Sequence, residues 1–348
     1  MVNYNIEAIR RYFIMNYKDQ QEIKNKERLQ QIVSELPEYA ANFFNYYLAI
    51  KEASSRTVLN YAYDMRIFFR YIAKCKNCDI KDVSLDILND LKPLEIQNFI
   101  TELNKTNSTA GKSRRLASLR SFYKYMRNIG YIKNNPALLV ETPNTHKKNI
   151  IHLENDEVKE VLTGIKTGDS LTDIQKKYAK NSKYRDYAIT TLLLGTGIRV
   201  SECVGIDLSD INWQDNSIKI YRKGGDEQLV YFTEQVRDAL EDYIDFEREE
   251  PLDEPDALFS SRKHQRISVR AVERIINKYT KTAVPNKHIT PHKLRSTYGT
   301  NLYQESGDIY LTADALGHKN IAVTAEHYAD MGNKRRKTAA DYTNKWLN

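Results

Sequence analysis

From Glu35 to about Gly130, apolar residues recur at steps of three and four, which predicts a bundle of four helices. AANFFNYYLAI places Phe43, Tyr47 and Ile50 on one stripe. SSRTVLNYAYDMRIFFRYIAK offers Ser54 or Ser55 as an N-cap and turns Val58, Tyr61, Met65, Phe68, Phe69 and Ile72 to a buried side. LEIQNFITELN forms a third helix, and TAGKSRRLASLRSFYKYMRNIGY a fourth with Leu116, Leu119, Tyr123 and Met126 inward. Residues 1–34 are polar, charged and weakly periodic: an N-terminal extension of one or two surface helices, or a partner-binding segment.

The pattern stops at 136–150, where two prolines and no period mark a linker between a helical domain at 35–135 and a second domain at 151–330. The second domain opens with a short amphipathic helix, HLENDEVKEVLTGI, with Leu153, Val158 and Val161 inward. Residues 166–183 are polar and read as a solvent-facing insertion. YRDYAITTLLLGTGIRVSECVGI is the most apolar stretch: Ala188, Leu192 and Leu193 build a buried helix, Gly195-Thr-Gly197 breaks it, and another helix starts near Arg199. SDINWQDNSIKIYRKGGDEQLVYFT then shifts to a period of two, with Ile218, Ile220, Leu229 and Tyr231 flanking a Gly224-Gly225-Asp226 turn: a β-hairpin. TEQVRDALEDYIDFER and ISVRAVERIINKYTKTA return to helix. The fold class is mainly α with a small antiparallel sheet, in two domains.

Composition changes little in this picture. A hydrophobic share of 41 % and a charged share of 28 % suit a globular protein. No apolar run approaches the roughly 20 residues of a membrane span, and the first residues lack the order of a signal peptide, so a cytoplasmic protein is expected. Three cysteines make no disulfide framework. Cys75-Lys-Asn-Cys78 has the spacing of half a zinc site without a second half, and the expectation is two reduced thiols at a helix end and no metal.

Charge changes more. The net charge of +7 favours a polyanionic partner, although a lysine-rich chain without one has the same balance. Between Leu103 and Lys133 stand eight basic residues and no acidic one, interleaved with Ser, Thr, Asn and Tyr. A solvated helix face usually mixes signs, so this run points to phosphate contacts. The DNA-binding candidates are Lys105, Lys112, Arg114, Arg115, Arg120 and Lys124, with Arg56 at the start of the second helix.

The chemistry gathers in a few segments. Arg199 sits in GTGIRVSE, where a fixed guanidinium can fork onto two phosphate oxygens or simply pair with Glu202. Lys223 stands at the hairpin turn, a proton donor or a solvated charge, with Arg222 and Lys219 as neighbours in register. His292 and Arg295, three apart after Pro291, share one face of a helix. His318 follows Leu316-Gly317, and Tyr328 comes ten residues later, past His327. Tyr303 and Tyr342 are alternatives among 24 tyrosines. A phenol with a pKa of about 10 is ionised at neutral pH only to about one part in a thousand, so as a nucleophile it requires a base or a cationic pocket.

The order Arg, Lys, His-x-x-Arg, His, Tyr at these spacings resembles the tyrosine recombinase (phage integrase) family, over roughly residues 35–330. The resemblance implies that the helical domain is a SAM-like core-binding domain and that residues 151–330 are catalytic. Together they would close around a duplex as a clamp. It implies that Tyr328 attacks the scissile phosphate to give a 3′-phosphotyrosyl link. Lys223 would protonate the leaving 5′ oxygen, Arg199, Arg295 and His318 would hold the phosphate, and His292 would assist removal of the phenol proton or hold a phosphate oxygen. It implies no cofactor or metal, double-stranded DNA bearing a specific site as partner, and a homotetramer working through a Holliday junction. The tail, 331–348, would serve as a protomer-exchange segment or pack on its own subunit. Lack of a large N-terminal arm-binding domain leans to a Xer-like recombinase resolving chromosome dimers, with a phage or mobile-element integrase as the alternative. A non-catalytic DNA-binding protein of the same fold and a type IB topoisomerase are the readings from other classes.

Overall fold

The computed structural model describes residues 17–105, 107–143, 150–169, 171–222, 226–252, 254–318 and 320–321, without the side chain of Tyr178. The chain forms two compact units, Met1–Lys148 and Asn149–Asn348.

The described residues of the first unit form helices and no strand: α1 (Tyr17–Val33), α2 (Ala41–Ala49), α3 (Ser55–Lys76), α4 (Leu85–Asp90), α5 (Pro93–Glu102) and α6 (Thr109–Asn128). Ser54 caps α3 by accepting from the Thr57 N–H, and Ser108 caps α6 in the same way. Asn77 ends α3 in the left-handed conformation, which places Cys75 and Cys78 at a helix end, exposed and half-buried. The core is aromatic. Phe43 and Phe122 meet edge to face at 5.3 Å, as do Phe68 and Phe99, a geometry that sets the positive rim of one ring against the negative face of another.

Two segments differ from their sequence reading. Helix α1 is not a detached surface element: it packs along α3 and buries Leu29 and Ile32 in the common core. The segment 136–143 is packed as well. A 3₁₀ turn at Pro136–Leu139 buries Pro136 and Ala137, and Arg120 donates to the carbonyls of Ala137 at 3.0 Å and Val140 at 2.5 Å.

The second unit contains α7 (Asn155–Thr167), α8 (Asp173–Ala179), α9 (Lys183–Thr196), α10 (Val200–Cys203), β1 (Ile211–Asn212), β2 (Ser217–Tyr221), β3 (Glu227–Tyr231), α11 (Glu234–Phe246), α12 (Val269–Ala283), α13 (Pro291–Ser306) and α14 (Ile309–Leu316). Helix α9 is the centre, buried on most sides and packed on α7, α11 and α13. Its Asp186 is fully buried and accepts from Arg185 at 2.8 Å, Lys278 at 2.6 Å and the Tyr279 hydroxyl at 3.1 Å, which joins α9 to α12. The 166–183 segment carries α8 and buries Leu171 and Ala179, so it is partly packed where solvent exposure was expected.

The sheet is antiparallel in the order β1-β2-β3, with Ile218 opposite Val230 and Tyr221 opposite Glu227. Ile218 and Ile220 face inward. On β3 the inward residue is Val230, followed by Phe232, whereas Leu229 and Tyr231 are exposed. Pairing register decides that phase, because each residue must take the face of its cross-strand partner.

Candidate active site

The site grows from three helix ends. Helix α9 is closed by Gly197 at φ +63°, whose N–H returns to the Leu193 carbonyl at 3.1 Å. A side chain there would also strike the Tyr298 ring, so glycine is required by conformation and by space. Two residues on, Arg199 is the N-cap of α10. Glu202, nearly buried, accepts the Arg199 backbone N–H at 2.7 Å and its guanidinium at 2.8 Å. One of the five guanidinium donors is thereby fixed, which sets the direction of a side chain that is 40 % exposed.

Helix α13 begins with Pro291, whose missing N–H costs nothing at a first helical turn. Leu294 is buried and anchors the turn; His292 is exposed, and Arg295 is buried. The Arg295 guanidinium donates to the Gly197 carbonyl at 2.6 Å and to the Leu316 carbonyl. It therefore ties the segment leading to Arg199 to the segment leading to His318.

Helix α14 ends in a Schellman cap. The Gly317 N–H returns to the Asp314 carbonyl at 2.7 Å and the His318 N–H to the Ala313 carbonyl at 2.9 Å, with Gly317 at φ +61°. The half-buried His318 leaves that cap on a fixed backbone. The carbonyls of Ala315 and Leu316 are among those a helix end leaves without an internal partner. Arg295 meets the second and Arg222, buried at the end of β2, approaches the first at 3.5 Å. Two cations at the C-terminus of one short helix also suit its dipole.

Arg199, His292, Arg295 and His318 thus stand on segments that Arg295 joins. Lys223, Tyr328, His327 and Tyr342 lie outside the described residues; Tyr303 stands on α13, toward the far end from His292. Sequence reasoning passed over Arg222. Its signal was available: a period of two puts 218, 220 and 222 on one face, and the first two are isoleucines. Burial presses its guanidinium below the ordinary range, Glu202 and Asp314 pull it back, and Arg199 presses further.

The basic residues of the first unit divide. Arg114 is bidentate on Asp64 at 2.5 and 2.7 Å, and Asp64, almost fully buried, also takes the Ser118 hydroxyl at 2.7 Å. Arg115 lies 3.6 Å from the same carboxylate and donates to Asn107 at 2.5 Å. Arg120 holds the 136–143 segment. Lys105 pairs with Glu102 at 3.1 Å, Lys112 donates to Asn104, and Arg56 and Lys124 are exposed. The acid-free run on α6 has its counter-charge on α3.

The phage integrase family model matches residues 152–335, and the phage integrase N-terminal SAM-like domain matches 40–129. The chain belongs to the phage integrase family. As a tyrosine recombinase it is 33 % identical over 318 residues to tyrosine recombinase XerC of Caldanaerobacter subterraneus subsp. tengcongensis, covering 87 % of this chain and 86 % of that protein. XerC of Thermodesulfovibrio yellowstonii is 31 % identical over 82 % of this chain and 89 % of its own. Among solved structures, XerH bound to its palindromic difH substrate shares the fold at a TM-score of 0.63 and 19 % identity, covering 80 % of this chain and 77 % of that one. A lambda integrase dimer on a COC′ core site does so at 0.62 and 16 %, covering 85 % and 96 %. This recombinase has the mostly helical fold with a small antiparallel sheet that such enzymes use for site-specific DNA recombination.

Proposed function

We propose that the recombinase cuts and rejoins DNA through Tyr328. The phenolic oxygen forms a bond to the scissile phosphorus as the bond to the 5′ oxygen breaks. His292 takes the phenol proton and Lys223 gives one to the departing 5′ oxygen, so the 5′ end leaves as a hydroxyl while the 3′ end stays bound to the tyrosine as a phosphodiester. Arg199, Arg295 and His318 hold the non-bridging oxygens of the phosphorane. Because the phosphotyrosyl bond keeps the energy of the broken strand, attack by the partner's 5′ hydroxyl reseals DNA without ATP.

The observation that carries this reading is the double hydrogen bond of Arg295, which links the Gly197 and Leu316 carbonyls next to Arg199 and His318. A surface arginine would be spread among solvent and carboxylates; this one gives two of its five N–H donors to joining cationic segments and has others for a phosphate oxygen.

The duplex is the partner, gripped by residues 35–135 and 151–330 as a clamp. In the first unit Arg56, Lys124, Lys105 and Lys112 contact phosphates, and Arg114, Arg115 and Arg120 contribute from positions fixed by their protein partners. Four protomers act on two duplexes through a Holliday junction; the solved lambda integrase tetramer on a Holliday junction supports that stoichiometry. The likeness to tyrosine recombinases named XerC supports the Xer-like reading, and the role that goes with that reading is resolution of chromosome dimers in the cytoplasm and not mobile-element integration. Incubation with a nicked suicide duplex should give an SDS-resistant protein–DNA adduct, and Tyr328→Phe should abolish it while binding is kept. Recombination by Tyr328→Phe would end the proposal.

A further inference from the structure

Arg222 is a buried cation that the reaction above does not use. It sits at the end of β2, directly before Lys223, and is only 7 % exposed. Its backbone N–H donates to the Asp226 carbonyl at 2.9 Å, so the hairpin ladder fixes its main chain. Its side chain crosses to the cap of α14: Nη2 reaches toward the Ala315 carbonyl at 3.5 Å, and the guanidinium lies against Gly317, in the space a β-carbon would fill. Nε and Nη1 are buried with no hydrogen-bond partner among the described residues. Two unpartnered nitrogens on a desolvated charge weaken the unit, and an isoleucine continuing the Ile218–Ile220 face would suit the core better. A guanidinium kept in such a place is holding something that stability alone does not require.

We propose that Arg222 is a positioning residue for strand cleavage, locking the Leu316-Gly317-His318 cap to the end of the hairpin so that His318 and Lys223 are presented to one phosphate. The glycine at 317 is its counterpart, since any side chain would evict the guanidinium. Arg199, Glu202 and Asp314 form the charged surroundings, so the lock is electrostatically continuous with the first arginine of the site. This rests on the roles given above to Lys223 and His318.

The test is single-turnover cleavage of a suicide duplex, in its ordinary form and with sulfur replacing the bridging 5′ oxygen. A thiolate leaves without a proton, so the sulfur substrate bypasses a displaced lysine. Arg222→Ala should bind DNA and melt like the parent, cleave the ordinary substrate roughly 100-fold more slowly, and recover most of that loss on the sulfur substrate. Gly317→Ala, which expels the guanidinium by another route, should show the same selective recovery, and Arg222→Lys should fall between. Unchanged cleavage by Arg222→Ala would overturn the proposal. So would equal losses on both substrates, since they mean direct phosphate contact if binding and melting hold and a purely structural role if those fall too. If the parent protein itself forms no adduct, the catalytic reading fails and the role of Arg222 with it, whereas a parent that cleaves no faster than Arg222→Ala defeats the role of Arg222 alone.

Discussion

Replacing Arg295 should cost stability and chemistry together, by amounts that the structure allows to be worked out. The guanidinium serves two carbonyls, Gly197 at 2.6 Å and Leu316, from a side chain only 6 % exposed. In Arg295→Ala both acceptors lose their donor, and a buried unsatisfied group costs about 1–3 kcal/mol. Release of a buried cation offsets part of this, leaving about 2–4 kcal/mol of destabilisation. For a unit of this size that lowers the melting temperature by roughly 5–15 °C. Arg295→Lys keeps the charge, but a single ammonium lacks the fork that spans two acceptors, so it should lose about half as much. The assay is urea unfolding followed by circular dichroism and by the fluorescence of Trp213, alongside adduct formation on a suicide duplex. Both variants should lose adduct formation by about 100-fold or more, as loss of a transition-state donor does. An Arg295→Ala protein as stable as the parent would refute the reasoning, because the two carbonyls would then not depend on this residue.

Other expectations follow from single features. Asp64→Ala leaves Arg115, 14 % exposed at its side chain, with its main counter-charge gone, so the first unit should lose about 3–5 kcal/mol in chemical denaturation. Gly197→Ala combines a left-handed backbone with a clash on the Tyr298 ring and should cost more than about 1–2 kcal/mol, read as a lower urea midpoint. Glu95 is held below its ordinary 4.5 by the Lys92 backbone N–H, against burial and with Lys76 helping. Its contribution to stability is therefore present above about 4.5 and lost as pH falls through the depressed value, and Glu95→Gln should remove that part of the acid sensitivity, followed by circular dichroism. Lys124→Gln should reduce the slope of log affinity against log salt by roughly 0.9, uniformly across DNA sequences.

Much of the architecture was legible because the signals that made it are local. The caps at Ser54 and Gly197 and the stripe Val58, Met65, Phe68 and Ile72 lie within a turn or two of what they specify. Helix α1 was harder: in 17 residues it buries only Gln20, Leu29 and Ile32, too few to announce a packed face. The phase of β3 depended on a partner strand, and Leu229 and Val230 look equally apolar without it. The site shows the same limit. That His292 and Arg295 share a face follows from their spacing, but the acceptors of Arg295 lie 98 and 21 residues away and are main-chain atoms, which no side-chain pattern marks. Asp64, 50 residues from Arg114, likewise turns a one-signed helix into half of an ion pair. Arg222 was within reach of the alternation of β2, yet a charged residue in a buried phase is easily taken for an end of the strand.

The central claim is that one phenol, at 328, takes the DNA phosphate. It is tested most directly by trapping the adduct on a suicide duplex, digesting both protein and DNA, and locating the nucleotide by mass spectrometry. The account predicts a 3′-phosphate linked to Tyr328 and to no other tyrosine. A linkage at Tyr303 or Tyr342, or cleaved DNA carrying no amino acid, would contradict it.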